Sequence, residues 1–235
     1  MESTIKKSSI YLVIIPAYNE EKTIEEVVSR ARKYADVCVI DDNSRDATAE
    51  ILKRFQDIHV IRHERNTHIP GGLIDGMRYA VEQGYEYGIA MDAGLSHNPD
   101  EIPLFMQHEQ ADLVIGTREI KYHVPLFRKL LSAAGGFIYN VMLDFPRSVW
   151  KRQYFRDITS GYRRYSNRAM RLIISQQIRS RSFDILFETA MYIYRNGLTI
   201  SEVPITYTFS NSSLNRRVVK DCLSMCFKSL FILKK

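Results

Sequence analysis

Apolar residues fill 10–15 without a break, and Pro16 and a polar stretch follow. A block this short, closed by a breaker, reads as a buried strand and is too short for the core of a signal peptide. The period then changes. Ile24, Val27, Val28 and Ala31 recur three or four apart among charges, which predicts an amphipathic helix over 20–34 with Asn19 as its N-cap. The alternation continues with strand at 37–40, helix at 47–55, strand at 58–62, helix at 72–83, strand at 87–91, helix at 100–109 and strand at 112–115. Repeated strand–helix units predict right-handed crossovers and a mainly parallel sheet covered on both faces, an α/β fold.

The second half is less regular. Residues 126–143 have an apolar helical pattern interrupted by Gly135 and Gly136, and 157–165 (DITSGYRRY) read as a polar element containing a turn. Helices are expected near 167–175 and 183–196, a strand at 199–207 and a last helix at 214–233. The division expected is one domain over 8–210 with an amphipathic helical tail over 211–235.

Charge sharpens the contrast between the halves. Residues 1–115 carry 12 Lys/Arg against 20 Asp/Glu, whereas 116–235 carry 21 against 7. The basic half calls for an anionic partner (phosphates, an anionic membrane surface or nucleic acid) or is simply a solvated surface. Its cations are not interleaved with stacking aromatics and no nucleic-acid module is recognisable, so nucleic acid is not expected. Cys38, Cys222 and Cys226 are an odd, sparse set that suits a reducing compartment. Cys222 and Cys226 read as core thiols or, less simply, as a metal pair.

Sheets of this kind bind ligands beyond the carboxyl ends of their strands. Polar signals gather at those ends: Pro16-Ala17-Tyr18-Asn19-Glu20, Asp41-Asp42-Asn43-Ser44, Asp92-Ala93-Gly94 and Gly116-Thr117-Arg118. Any one of these loops is an ordinary turn. Together, on one edge, they describe a site for an anionic ligand.

The ordered runs VIIPAYNEEKTI, VIDDNSRDAT, AMDAGLSHNPDEIP, IGTR, DITSGYRRYS and ISEVPITYTFSNSSLNRRVVKD resemble those of glycosyltransferase family 2. They look most like its dolichol-phosphate mannosyltransferase-like branch. The resemblance implies a GT-A fold, a single Rossmann-like domain, and inverting transfer of a hexose of mannose or glucose type from a nucleotide-diphosphate sugar. The branch implies a polyprenyl or dolichyl phosphate acceptor and a divalent metal, magnesium or manganese.

Pro16, Ala17, Tyr18 and Glu20 match the first nucleotide-binding loop. Glu20 accepts from a ribose hydroxyl or base, or is a first-turn acid favoured by the helix dipole. Asp41 and Asp42 match paired acids of which one accepts from a base N–H; alternatively Asp42 or Ser44 caps the next helix. Gly71 and Gly72 let the backbone approach the donor, or form a plain turn. Asp92 and Ala93 match the start of the DxD motif, whose carboxylates hold the ion on the donor diphosphate. Gly94 stands where the second acid belongs and Ser96 where a further polar ligand belongs. His97 or Asp157 is then a substitute ligand, although His97 also reads as a loop-packing residue.

Arg118, Arg128 and the segment Asp157–Gly161, with Ser160, match positions that serve phosphates and the reacting centre; Arg128 also reads as a surface cation. A phosphate acceptor is already ionised, so the chemistry needs charge screening more than a strong base. The branch's Ser-Lys motif is replaced by Ser210-Asn211-Ser212-Ser213-Leu214, leaving Arg216 and Arg217 to contact phosphate. The tail 214–235 suits a helix on an anionic membrane surface and 126–143 can do the same; alternatively both helices pack on the domain or on another subunit. The expected location is the cytoplasmic face of a membrane, peripherally bound, with a second copy or a membrane protein as a further partner. A family 2 enzyme acting on a glycan hydroxyl, or a degenerate nucleotide-sugar binder without turnover, remains open.

Overall fold

The computed structural model describes residues 10–122, 126–143, 154–208 and Ser224. The chain runs β1 (Tyr11–Ala17), α1 (Ile24–Ala31), β2 (Asp36–Asp41), α2 (Thr48–Leu52), β3 (His59–Arg62), α3 (His68–Glu82) and β4 (Tyr87–Ala90). It continues through a 3₁₀ turn (Pro99–Glu101), α4 (Ile102–Gln107), β5 (Leu113–Tyr122), α5 (Leu126–Leu143), β6 (Arg163–Ser166), α6 (Asn167–Ile174), α7 (Ile185–Arg195) and β7 (Ile200–Thr208). One seven-stranded sheet has the order β3-β2-β1-β4-β6-β5-β7. β1 lies parallel to β2 and β4, β2 to β3 and β5 to β7, while β6 runs antiparallel between β4 and β5.

β1 is the centre of the layering. Leu12 and Ile14 belong to the core under α3, α6 and α7, and Val13 and Ile15 to the core under α1, α2 and α4. Burial on both faces is why this strand is a continuous apolar block. α3 crosses β1 closely: a Cβ on Gly76 would lie 2.3 Å from Ile14 Cγ2 and 3.0 Å from Ile40 Cδ1.

The expected alternation is present, with corrections at its edges. α1 begins at Ile24, and Asn19 is not its N-cap but sits at φ 56° in the preceding loop. α3 begins at His68, earlier than expected, so Gly71 and Gly72 lie in its first turn rather than before it. Their hydrogens face neighbours: a Cβ would fall 2.0 Å from Thr67 Oγ1 at Gly71 and 3.0 Å from Pro16 Cβ at Gly72. α5 runs through Gly135 and Gly136 without a break.

The larger correction is β6. The expected polar turn over 157–165 ends in a central strand whose two arginines are almost fully buried. Arg164 closes the end of α4 by donating to Phe105 O (2.6 Å) and Glu109 O (2.7 Å), where a cation suits the helix dipole. Arg163 donates to Ser160 O (2.7 Å) and Leu186 O (2.6 Å), and also to Ile158 O. Both cations replace water with carbonyls, so a charged strand is tolerated in the sheet interior. The tail 211–235, with its expected helix and its domain boundary, lies outside the described residues apart from Ser224.

The tight crossing of α3 over β1 gives a stability test. Gly76→Ala is expected to destabilise the fold by about 1–3 kcal/mol through overpacking, read by urea denaturation. An unchanged midpoint would contradict the crossing described.

Candidate active site

The loops after β1 and β2 are fastened to each other. Asn19 N donates to Ser44 Oγ (3.0 Å) and Arg45 N returns a bond to Asn19 Oδ1 (2.8 Å). Glu20 N donates to Thr48 Oγ1 (2.8 Å) and Ala47 N to Glu21 Oε2 (3.1 Å). Asn tolerates the left-handed backbone that lets Asn19 face β2. The strand itself carries on through Pro16 to Ala17, and Tyr18 is exposed beside the loop.

The two aspartates after β2 divide the work. Asp42 takes up the start of α3, accepting from Thr67 N (2.7 Å), Thr67 Oγ1 (2.9 Å) and His68 N (2.8 Å). His63 completes its shell at 2.8 Å and reaches Asp75 Oδ2 at 3.1 Å with its other nitrogen. Asp42 is therefore an anchor, and it caps α3 rather than α2. Asp41 is buried, and its Oδ1 accepts from Ser44 N (2.9 Å). Its Oδ2 accepts no hydrogen bond among the described residues, with Arg62 Nε 3.6 Å away. Asp41 also lines a cleft of about 320 Å³ with apolar walls from Leu52, Phe55, Ile58 and Val60.

Asp92 follows β4, and its side chain is 38% exposed. Its backbone N–H donates to His97 Nδ1 (3.1 Å), and His97 N donates back to Asp92 Oδ1 (3.4 Å). The imidazole is buried and stacks on Tyr162 at 5.0 Å. Burial pushes its pKa down against the pull of Asp92, which agrees with a neutral ring accepting at Nδ1. His97 thus packs beneath the loop, with Nδ1 taken by the backbone. Leu95 closes the turn at φ 59°, a strained value for a bulky residue. Ala93 is buried beneath the loop.

Gly94 leaves a gap that Glu20 faces. A Cβ on Gly94 would come 3.7 Å from each Glu20 carboxylate oxygen. Burial raises the Glu20 pKa, the Thr23 hydroxyl (3.0 Å) opposes that, and the Asp92 charge adds to it. Among the described residues no group of three or more His, Cys, Asp or Glu side chains is arranged to hold an ion.

Arg118 and Asp157 form one unit. Arg118 Nε donates to Asp157 Oδ2 and Nη2 to Oδ1, both at 2.6 Å, and Arg118 N adds a bond at 3.2 Å. Thr159 Oγ1 accepts from Arg118 Nη2 (2.7 Å) and donates to Asp157 Oδ1 (3.0 Å). The guanidinium lies over the Tyr207 ring at 5.2 Å. Burial alone would raise the Asp157 pKa; the Arg118 bonds outweigh it and hold the carboxyl below its usual range. Ser160 is buried, and its Oγ has no hydrogen-bond partner among the described residues. A Cβ on Gly161 would meet His97 Cε1 at 3.5 Å, so this turn lies against the Asp92 loop.

Of the expected residues, the structure brings Glu20, Asp41, Asp92, Arg118 and Asp157 to one edge of the sheet. The side chain of Arg128 and both Arg216 and Arg217 lie outside the described residues. Sequence reasoning did not single out Thr159, Arg163, Glu202 or Tyr207. The period-2 pattern of 199–207 shows that two of them share a strand, but not that they face Arg118 and Asp157.

The family described as "Glycosyl transferase family 2" matches residues 12–173. The chain is 30% identical over 233 residues to the UDP-N-acetylglucosamine–dolichyl-phosphate N-acetylglucosaminyltransferase of Methanococcus voltae, covering 88% of each chain. It is 33% identical over 208 residues to the undecaprenyl-phosphate mannosyltransferase of Micrococcus luteus, covering 83% of this chain and 82% of that one. Glucosyl-3-phosphoglycerate synthase from Mycobacterium tuberculosis, crystallised with Mn2+, UDP-glucose and glycerol 3-phosphate, superposes with a TM-score of 0.71 at 16% identity. That superposition covers 98% of this chain and 83% of the other, and establishes the GT-A type of the sheet.

The buried pair has a pH signature. Asp157→Asn leaves the partly buried Arg118 without its counter-ion and is expected to cost about 2–4 kcal/mol at pH 7. The Asp157 pKa is depressed in the folded state, so its contribution is complete above the unfolded value of about 3.9 and is lost as pH falls through the folded value. Denaturation of both proteins between pH 7 and pH 3 should show the difference shrinking only in the acid range. A difference independent of pH would contradict the pairing.

Proposed function

The chain belongs to glycosyltransferase family 2, and we propose that it moves a hexose of mannose or glucose type from a nucleotide-diphosphate sugar to a polyprenyl phosphate, with inversion. The observation that carries this reading is the commitment of Asp157. A sugar-hydroxyl acceptor needs a base, yet the carboxylate of the 157–161 turn is held ionised by Arg118 with both oxygens occupied. A phosphate acceptor brings its own anionic oxygen and has no need of that base. The relatives above, whose names specify dolichyl or undecaprenyl phosphate, support the same acceptor class.

In this reading Asp41 Oδ2 accepts an N–H of the donor base, and the stitched loops of β1 and β2 hold the ribose near Tyr18 and Glu20. Gly71 and Gly72 serve the donor indirectly, Gly71 by making room for the Thr67 side chain and Gly72 by letting α3 close on Pro16. Asp92 lies by the diphosphate. An all-oxygen set from Asp92, Glu20 and the diphosphate suits magnesium or manganese, and the gap at Gly94 gives Glu20 the room to take part. A divalent ion held there would neutralise charge gathering on the departing nucleoside diphosphate. Arg118 and Asp157, paired as one unit, shape the place where the acceptor phosphate meets the sugar, and transfer proceeds by positioning and charge stabilisation. Ser160 and Gly161 shape that turn.

No helix among the described residues is long and apolar enough to cross a membrane. We place the protein peripherally on the cytoplasmic face, with the basic tail 211–235, including Arg216 and Arg217, on anionic headgroups near the acceptor.

The test uses labelled nucleotide sugars, polyprenyl phosphate, soluble glycans and manganese, followed by lipid extraction. Label is expected in the lipid. Asp92→Asn should lower transfer by about a hundredfold or more and weaken Mn2+ binding by the protein with nucleoside diphosphate, read by electron paramagnetic resonance. Label appearing only on soluble glycans would contradict the acceptor, and unchanged Mn2+ binding would contradict the role of Asp92.

A further inference from the structure

Glu202 belongs to neither the donor loops nor the Arg118–Asp157 pair, yet it touches both segments that carry the pair. It lies on β7 opposite Ile115 of β5. Its Oε1 accepts from the Thr117 hydroxyl (3.2 Å) and from the backbone N–H of Asp157 (3.1 Å). Thr117 is the residue before Arg118. One oxygen therefore ties the chain next to the guanidinium to the chain that bears the carboxylate. Glu202 is itself held in place, because its carbonyl accepts from His108 Nε2 at 3.1 Å.

The turn that presents Asp157 has no strand to register it, so its amide needs a partner supplied by a side chain. The salt bridge is short on both arms, and such two-armed geometry tolerates only small displacements. β7 also leads to the rest of the site. Thr208 N donates to Ser96 O (3.2 Å), and the Tyr207 ring lies 6.2 Å from His97 and 5.2 Å from the Arg118 guanidinium.

We propose that Glu202 is a positioning residue for transfer: its Oε1 sets the spacing of the Thr117–Arg118 and Asp157 segments and so aims Arg118 beside the Asp92 loop. The inference rests on the part given to the pair under the proposed function. What matters is the acceptor oxygen and not the negative charge, because both bonds are accepted by Oε1 and an amide oxygen accepts as well.

The experiment compares Glu202→Gln, Glu202→Ala and Thr117→Val in the full chain. It measures polyprenyl-phosphate transfer and records the Arg118 Nε–H resonance of 15N-labelled protein, assigned by its loss in Arg118→Lys. Glu202→Gln is expected to keep kcat within about twofold and leave the resonance in place. Glu202→Ala is expected to lower kcat about 10- to 100-fold with the donor KM nearly unchanged, and to move the resonance. Thr117→Val, which removes one of the two donors, should move it the same way by less and covers the case in which Glu202→Ala fails to fold. Glu202→Gln as slow as Glu202→Ala, or a resonance unmoved in both Glu202→Ala and Thr117→Val, would overturn the proposal. A moved resonance with unchanged kcat would support Glu202 as the residue that sets the pair while removing the pair from transfer.

Discussion

A guanidinium and a carboxylate withdrawn from water at the carboxyl edge of the sheet govern what this protein can do. Asp157 and Arg118 neutralise each other at 2.6 Å, and Thr159 takes up further hydrogen-bonding capacity. Such a pair gives little net stability, since each ion gives up its hydration, but breaking it strands a buried charge. It therefore has one stable arrangement, and the turn over 157–161 is fixed by it. The same pairing removes the carboxylate as a base, and that is what favours an acceptor arriving already ionised.

The donor side works by a different economy of hydrogen bonds. The loops after β1 and β2 satisfy each other's backbone groups, so they stand above the sheet without help from a ligand. Within this self-satisfied shell one buried oxygen, Asp41 Oδ2, lacks a hydrogen bond among the described residues, and the carboxylates of Glu20 and Asp92 stand close enough to feel each other. Buried polar atoms are normally paired; apart from Arg62 Nε at 3.6 Å, Asp41 Oδ2 has no partner among the described residues, and in the proposed reading it is capacity held for the donor. Leu95 at positive φ and the buried His97 suggest that the Asp92 turn is held against local preference by its neighbours.

The first half of the fold was legible because its physics is periodic. Buried parallel strands are apolar blocks, the helices between them carry stripes, and the polar loops fall at the strand ends. Boundaries failed where side chains compete for the backbone. Asn19 looked like a cap but serves a loop at φ 56°, and α3 starts early because Asp42 captures Thr67 and His68. β6 was illegible because 157–165 read as a polar turn, and the carbonyls of Ile158, Ser160, Leu186, Phe105 and Glu109 are what make the burial of Arg163 and Arg164 tolerable. Sequence order put Glu20, Asp41, Asp92, Arg118 and Asp157 in loops and strand ends on one edge of the sheet, and that is where the structure has them. It did not show that Arg118 and Asp157 are bound to one another, that Asp42 is an anchor, or that Glu202 reaches across from β7. Those are facts of three-dimensional contact between distant segments.

The central claim is that the acceptor supplies its own nucleophilic anion. It is tested most directly by the pH dependence of kcat/KM for the lipid acceptor, compared with an analogue whose phosphorus acid has a higher second pKa. The account predicts that the acid limb follows the acceptor, breaking near pH 6 for the phosphate and moving up with the analogue. A limb that stays in place when the acceptor is changed would mean that a protein group is the base, and would contradict the account.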